Sequence, residues 1–271
     1  MNLPLFSTPY FSTSSTGEHP VTINRVAERH WHALADDRVV GRGEAFHRPD
    51  RRVFLSIDAW HSTVFDQLAA AMLRDLPRPL YTVVDEADGD LTDQWQRAGF
   101  VIRRREHEYR IPTDPLLTGL GSVPAPPGLT VLPVGEADAD PLRALDRLVR
   151  AEIEAGAGWH EMPAEVLSRS DGSTVLDPSQ YAVVATRSGD YIGLLRLAPV
   201  RQPRIGLVAV RSDRRRRGIA RVLLAQVLGS LHRSGIALAS ADVNESNASA
   251  LALFEGIGAR PESSNLELVL R

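Results

Sequence analysis

The apolar positions after residue 128 divide that part of the chain into short strands and helices. Apolar runs bounded by glycine, proline and polar turns predict strands, and spacings of three and four predict helices. The order is β-α-α-β-β-β-α-β-α-β. The predicted strands are Leu129–Val134, Tyr181–Thr186, Tyr191–Val200, Arg204–Val210, Ile236–Val243 and Asn265–Arg271. The predicted helices run from an Asp140-Pro141 cap to Gly156, over Pro163–Ser170, from Ile219, and from Ala248.

The first part of the chain repeats the later part of that order and lacks its two early helices. Its predicted elements are strands at Trp31–Ala35, Val39–Phe46, Arg52–Ile57 and Leu80–Val84, helices at Ser62–Arg74 and Leu91–Arg97, and closing strands in Val101–Ile111. Between the two parts, residues 113–128 contain four prolines and three glycines, too many breakers for a helix or a central strand. We therefore expect a loose arm at 1–20, domains at 21–112 and 129–271, and a linker at 113–128.

A basic loop joins the strand that ends at Val210 to the helix that begins at Ile219. It holds four consecutive arginines, Arg214–Arg217, followed by Gly218. The first N–H groups of a helix have no partner within it, and the helix dipole adds positive potential there. Glycine allows a bulky anion to approach the backbone. The sequence therefore predicts a phosphate or pyrophosphate site, with a solvated basic turn as the alternative.

Two familiar phosphate motifs are absent. The P-loop pattern needs a lysine, and the chain contains none. The G-x-G-x-x-G fingerprint of dinucleotide-binding domains is also missing. The segment Arg215-x-x-Gly218-x-Ala220 after Val210 instead resembles the acyl-CoA loop of the GNAT acetyltransferase superfamily, V-x-P-x-x-[QR]-x-x-G-x-[GA], with Ser212 in place of the proline.

A second segment resembles the same superfamily. Asn247-x-x-Ala250-x-x-Leu253-Phe254 is similar to the GNAT pattern N-x-x-A-x-x-L-[YF], although its usual G-[FY] ending is Gly258-Ala259 here. The resemblance implies an α/β (α+β) fold of tandem GNAT type, with mixed central sheets flanked by helices. The first copy would be truncated and degenerate, because its phosphate position, Asp58–Ser62, has no glycine. An unrelated α+β domain of similar order is the alternative for that half.

The resemblance also implies acetyl-CoA or another acyl-CoA as cosubstrate. Loop N–H groups would hold the pyrophosphate, and the end of the preceding strand would bond the pantetheine arm, with the Val208 N–H as an oxyanion donor. Asn247 would contact pantetheine or cap its helix. Phe254 stands where many members have a tyrosine that protonates the leaving thiolate, and Ser249 or a water could substitute. The implied cofactor-binding residues are Val208, Ala209, Val210, Arg215, Arg216, Arg217, Gly218, Ile219, Ala220, Asn247 and Phe254.

A primary amine must lose a proton before it attacks a thioester. The acid that is usual on the strand before the loop is missing, since Ile205–Val210 contains none. The candidate catalytic residues are Glu152, His160, Glu161 and Asp242. For each one a solvated or structural role is the alternative. As a group they favour a cationic acceptor.

The composition narrows the class of protein further. A net charge of −3 gives no general attraction to nucleic acid or to an anionic membrane, and no apolar stretch is long enough to span one. The absence of cysteine and of a signal-like N-terminus favours a cytoplasmic protein. His30 and His32 are two residues apart, but two histidines alone are not sufficient to predict a metal site. A homodimer stays open.

The sequence therefore predicts an N-acetyltransferase that moves an acyl group directly from acyl-CoA to a primary amine, most simply of a small molecule. The alternative is a non-catalytic acyl-CoA-binding or regulatory module. Phe254 and the missing strand acid are the features that favour this alternative.

Overall fold

The computed structural model describes residues 20–48, 50–121, 123–156, 176–198 and 200–271. The strands within these ranges are β1 (Thr22–Ala27), β2 (His30–Ala35), β3 (Arg38–His47), β4 (Val53–Ala59), β5 (Leu80–Asp85), β6 (Val101–Pro112), β7 (Leu129–Leu132), β8 (Tyr181–Thr186), β9 (Tyr191–Ala198), β10 (Arg204–Val210), β11 (Leu238–Asn244) and β12 (Arg260–Leu270). The helices are α1 (Ser62–Asp75), α2 (Gly89–Arg97), α3 (Pro115–Thr118), α4 (Ala139–Ala155), α5 (Ile219–Arg233) and α6 (Ala248–Glu255).

The described residues form two compact units, and residues 20–44 and 57–74 make up the first. Within its described part, β1, β2 and β3 form an antiparallel meander. Helix α1 lies close against β3 because two β3 positions carry no side chain. A Cβ at Gly41 would lie 2.8 Å from Val64 Cγ1, and one at Gly43 would lie 2.5 Å from Met72 Sδ.

The second unit comprises residues 45–56 and 75–271. Its strands form a mixed sheet in the order β4-β5-β12-β6-β11-β10-β9-β8-β7. The antiparallel pair β12–β6 lies between two short parallel pairs, β4–β5 on one side and β10–β11 on the other. The strand that follows β5 along the chain, β6, therefore pairs with β11, and the strand that follows β11, β12, pairs with β5.

Apolar side chains cover both faces of β8–β10 in this unit. On one face α5 and α6 pack against the sheet, with Leu223, Leu224 and Val227 of α5 buried. On the other face α4 packs through Leu142 and Leu145. Fully buried strands such as β8 accordingly carry continuous apolar runs, because each face meets a helix.

The predicted fold class is confirmed, since the chain has a mixed sheet flanked by helices. Strands β8 and β10 have their predicted bounds. The final strand begins at Arg260 rather than Asn265, because its first residues pair with Arg110 and Tyr109 of β6. The domain boundaries at 21–112 and 129–271 stay a prediction. The predicted second helix, Pro163–Ser170, and the arm except residue 20 lie outside the described residues.

Two local predictions are wrong. Residues 113–128 do contain a helix, α3, because the breakers lie at its ends: Asp114 accepts from the Leu116 N–H at 2.8 Å, and Gly119 ends the helix at φ 63°. The N-cap of α4 is Asp138 rather than Asp140. The Asp140 carboxylate instead accepts from Arg143 at 2.6 Å. None of the described helices is long and apolar enough to cross a membrane.

Candidate functional site

Strands β10 and β11 pair at one position and then separate. Their parallel pairing is confined to Arg204 and Ser240, whereas β10 stays paired with β9 as far as Val210 opposite Gly193. The register of β10 shifts between Ile205 and Leu207, so Gly206 is the extra residue of a β-bulge. A cleft therefore opens between β10 and β11 beside Leu207–Val210. The sequence signal for the bulge was a glycine inside a strand.

The loop after β10 leads to an uncapped helix N-terminus. A short 3-10 turn, Ser212–Arg214, is followed by two residues with positive φ, Arg216 at 63° and Gly218 at 78°. Gly218 is the N-cap of α5, and no side chain caps this helix. Within the part of the chain that the structure describes, a Cβ at Gly218 would have no heavy atom within 4 Å. The space beside Gly218 is thus open, and an anion can approach the first turn of α5 from that side.

The loop arginines have different partners. The Asp213 carboxylate pairs with Arg211 at 3.1 Å and with Arg214 at 3.3 Å. Arg215 donates from Nε to the Val210 carbonyl and from Nη2 to Glu152. Arg216 and Arg217 are exposed and have no ion pair among the described residues. These two guanidinium groups are the ones placed to meet a phosphate.

Glu152, a predicted base, lies in the last turn of α4, and its carboxylate contacts the loop. It accepts from the Ser212 N–H at 3.1 and 3.0 Å, from Ser212 Oγ at 2.8 Å, and from Arg215 Nη2 at 3.0 Å. The side chain is 21% exposed. No local sequence pattern indicates this contact, because Ser212 lies 60 residues from Glu152.

Asp242, the other predicted base in the described residues, lies two residues beyond the β10–β11 pair. Its carboxylate accepts from Arg204 Nη1 at 2.9 Å. Directly opposite Asp242 on β6 is Glu108, which accepts from Ser263 Oγ at 2.8 Å. The cleft mouth therefore carries carboxylates from two strands. His160 and Glu161 lie outside the described residues.

A further carboxylate from β6, Glu106, lies opposite Asn244 of β11. Burial raises the pKa of Glu106 above the ordinary range, Arg104 beside it lowers the pKa, and the charge of Asp242 raises it again. Glu106 was missed because it belongs to the first half of the sequence. Charges at every second position of β6, namely Arg104, Glu106, Glu108 and Arg110, were the available signal.

These β6 charges continue into a buried cluster around Glu267 of β12, which is 3% exposed. Arg103 Nη1 donates to Glu267 Oε1 at 2.5 Å, and Arg104 Nη2 lies 3.3 Å from Glu267 Oε2. Arg104 Nη2 also lies 3.2 Å from Glu106 Oε1. Burial of a carboxylate is costly unless cations pair with it, and these arginines supply that pairing. Arg104 therefore connects the cluster to the carboxylates near the cleft.

The second motif takes up structural positions in α6. Asn247 is the N-cap, and its side chain accepts from the Ala250 N–H at 3.1 Å. The alternative of a capping role is thus observed. Phe254 is 5% exposed and stacks on Tyr109, with the ring centroids 6.2 Å apart. The Tyr109 hydroxyl donates to Glu255 Oε1 at 3.0 Å.

Comparison with known proteins agrees with this geometry. Residues 152–267, less than half of the chain, are similar to the family model described as Acetyltransferase (GNAT) domain. A comparison with curated protein sequences gives no match.

Solved structures share the fold at low sequence identity. A GCN5-related N-acetyltransferase from Sphaerobacter thermophilus is 17% identical with a TM-score of 0.62, over 91% of this chain and 82% of that one. A tandem GNAT protein from the clavulanic acid biosynthesis pathway is 13% identical with a TM-score of 0.62, over 89% and 82%. A GCN5-related N-acetyltransferase from Kribbella flavida is 15% identical with a TM-score of 0.55, over 93% and 89%. At these identities the likeness shows the fold.

Proposed function

We propose that the second half of the chain binds acyl-CoA and transfers its acyl group directly to a primary amine of a small molecule. The observation that carries the proposal is the uncapped N-terminus of α5 at the end of two separating strands. Backbone N–H groups of Arg215–Ala220 would hold the pyrophosphate, and Arg216 and Arg217 would pair with phosphate oxygens. The open space above Gly218 supports this fit.

The cleft between β10 and β11 would take the pantetheine arm. Val208 and Val210 would bond it as an added strand does, and Ala209 lies between them. The β-bulge at Gly206 lies beside this segment and re-aims the backbone, which supports the Val208 N–H as the oxyanion donor. Asn247 would reach pantetheine through its amide nitrogen, because its oxygen caps α6.

Bound acyl-CoA supplies the activated thioester, and the chain must then deliver the amine in its neutral form. Asp242 is the base that we favour, since it lies at the mouth of the cleft. His160 and Glu161 remain candidates. Glu152 is less suited, because its carboxylate already accepts hydrogen bonds from Ser212 and Arg215. Carboxylates at Asp242, Glu106 and Glu108 would attract a cationic acceptor. Phe254 has no proton for the thiolate, so departure would be unassisted or helped by Ser249 or water.

The first half would be a degenerate copy that binds no CoA. Its support is the parallel pair β4–β5, which repeats the arrangement of β10–β11 on the other side of β12–β6. Asp58 lies near the end of β4, and no glycine follows it before α1. Cytoplasmic location and homodimer formation stay predictions.

Calorimetry with acetyl-CoA and thiol release with a panel of small amines test the proposal. We expect one CoA site per chain and amine-dependent thiol release. A second site of similar affinity would contradict the hypothesis that the first half is a degenerate copy that binds no CoA. CoA binding without transfer to any amine would instead support the binding module, which Phe254 favours. Absence of CoA binding would overturn the proposal.

A further inference from the structure

We propose that Glu152 is a positioning residue that holds the phosphate loop in its anion-binding shape through Ser212 and Arg215. The inference rests on the proposed CoA site and adds a specific role within it. Glu152 would act on CoA binding through the loop, rather than on the amine as a base.

Glu152 contacts both ends of the 3-10 turn within the loop. Both carboxylate oxygens accept from Ser212, and Oε2 also accepts from Arg215, so three donors meet one carboxylate. Ser212 begins the 3-10 turn, and Arg215 is its C-cap. Hydrogen bonds to an ionised acceptor are stronger than neutral ones. One side chain therefore fixes the beginning and the end of the turn.

The loop has physical reasons to need such a restraint. Arg216 adopts a φ of 63°, a left-handed conformation that costs a non-glycine residue free energy. Arg211 and Arg214–Arg217 also place five cations within seven residues, with Asp213 as the single acid among them. Glu152 adds a second negative charge from another element. It thereby offsets the mutual repulsion of the arginines. The loop then already has the conformation that binds an anion, so less free energy is spent on ordering it.

Glu152 is itself held by a fixed helix. One face of α4 buries Leu145 and Val149 against the sheet. On the same helix, Arg150 Nε donates to Asp146 Oδ2 at 2.6 Å in a buried pair. The carboxylate is therefore presented from a packed element, as a positioning role requires.

Ser212 supplies two of the three donors to Glu152, and it stands where the resembling loop pattern has a proline. Proline, which the resembling loop pattern has at this position, has neither an N–H nor a hydroxyl and could make none of the Ser212 contacts. Arg211 has φ −47° and ψ 138°, which suits a residue before proline, and Ser212 is the first residue of its turn. Ser212→Pro is thus a variant that the backbone can accept and that removes both donors of Ser212 to Glu152.

The test compares Glu152→Ala, Glu152→Gln and Arg215→Gln with the wild type, using Asp140→Asn as a control on α4. The Asp140 side chain is 93% exposed and lies at the other end of the helix. We expect Glu152→Ala to weaken CoA binding by about tenfold at unchanged helix content, from the loss of charged hydrogen bonds. Glu152→Gln and Arg215→Gln should weaken it less. Asp140→Asn should match the wild type.

A double-mutant comparison of CoA affinity and separate measurements of KM and kcat complete the test. The effect of Glu152→Ala on CoA affinity should shrink several-fold in the Ser212→Pro background, because most of the contacts are already absent there. Glu152→Ala should raise the KM for acyl-CoA and leave kcat and its pH profile close to those of the wild type. A fall in kcat with loss of the acidic limb of the pH profile, where a base becomes protonated, would identify a base instead and overturn the inference.

Hydrogen exchange of the amides of residues 212–220 separates this inference from the proposed function. Faster exchange in folded Glu152→Ala supports the positioning role even if the wild type binds no CoA, an outcome that would overturn the CoA site alone. Wild-type exchange together with wild-type CoA affinity in folded Glu152→Ala would overturn the positioning role.

Discussion

Gly193 of β9 lies directly beneath Ile219, the first residue of α5. A Cβ at Gly193 would lie 2.8 Å from Ile219 Cγ2 and 3.4 Å from Leu223 Cδ1. Real Cβ atoms do not approach other heavy atoms so closely, so the missing side chain allows the helix N-terminus to lie against the strand. The position of the candidate phosphate site therefore depends on a glycine outside the loop that forms it.

Gly193→Ala should destabilise the protein and weaken CoA binding together. The added methyl group must displace Ile219, and overpacking of this kind costs about 1–3 kcal/mol. Because Ile219 contributes an N–H to the candidate site, its movement should also reduce CoA affinity. Thermal unfolding and calorimetry on the same sample measure the two effects.

Gly229→Ala, within α5 itself, is the matched control for Gly193→Ala. Its Cβ would meet only Arg233 Nη1, at 3.4 Å, which is the end of a flexible side chain. Alanine in a helix interior is favoured over glycine by roughly 0.5–1 kcal/mol. We expect a higher melting temperature and unchanged CoA affinity. If both variants behaved alike, the close approach of Gly193 to Ile219 would not explain the effect.

Gly218→Glu should abolish CoA binding in a folded protein. The side chain would enter the open space in front of α5 and place a carboxylate where the phosphate is expected. The φ of 78° also makes this substitution mildly strained. Calorimetry with CoA measures the loss, and circular dichroism establishes that the fold is retained.

Gly218→Asn separates strain from occupancy of the site. Asparagine tolerates the left-handed conformation better than other side chains and adds no charge. We expect it to keep most of the CoA affinity that Gly218→Glu loses. Undiminished binding by folded Gly218→Glu would show that the anion site lies elsewhere.

The fold was predictable because its signals are local. The alternation of apolar runs and turns located β8, β9 and β10, and the glycine after the arginine run marked the beginning of α5. What could not be predicted depends on long-range pairing. Glu106 and Asp242 belong to neighbouring strands only because β6 pairs with β11, and no sequence pattern specifies that partner.

The same reason explains why the contact of Glu152 with the loop could not be predicted. Its position near the apolar face of α4 was visible in the sequence, but its partner Ser212 lies on another element. The helical period places a side chain on a face and does not name what the face meets. Asn247, by contrast, caps the residue three positions later, a spacing that the sequence does show.

The raised pKa of Glu106 should make stability depend on pH. A carboxyl whose pKa is higher in the folded than in the unfolded protein stabilises the fold in its protonated form. This contribution is present below the ordinary pKa of 4.5 and is lost as the pH rises through the folded value. Burial is its main cause, Arg104 opposes it, and Asp242, Glu267 and Arg48 also act on the group.

Glu106→Gln measures that contribution. The unfolding free energy of the wild type relative to the variant should decrease as the pH is raised from about 4.5 toward neutrality. Denaturant unfolding of both proteins at several pH values gives this difference. A relative stability that increases over the same range would show that Arg104 dominates and that the pKa is lowered.

Phe254→Tyr tests whether the leaving thiolate lacks an acid. The ring is 5% exposed and stacked on Tyr109, so the hydroxyl enters a packed region and should cost about 1–3 kcal/mol if it finds no partner. If it reaches the sulfur, general-acid assistance typically contributes ~10²–10⁴-fold, and an unoptimised tyrosine should give the lower end or less. We expect a higher maximal rate with little change in CoA affinity.

Tyr109→Phe provides the control for this prediction. It removes a hydroxyl from the neighbouring ring, where that group donates to Glu255 rather than to a candidate reacting atom. Its maximal rate should therefore equal that of the wild type, while Phe254→Tyr exceeds it. Equal rates for all three proteins would mean that thiolate departure does not limit the reaction. Absence of transfer in every variant, with CoA still bound, would favour the binding module over the enzyme.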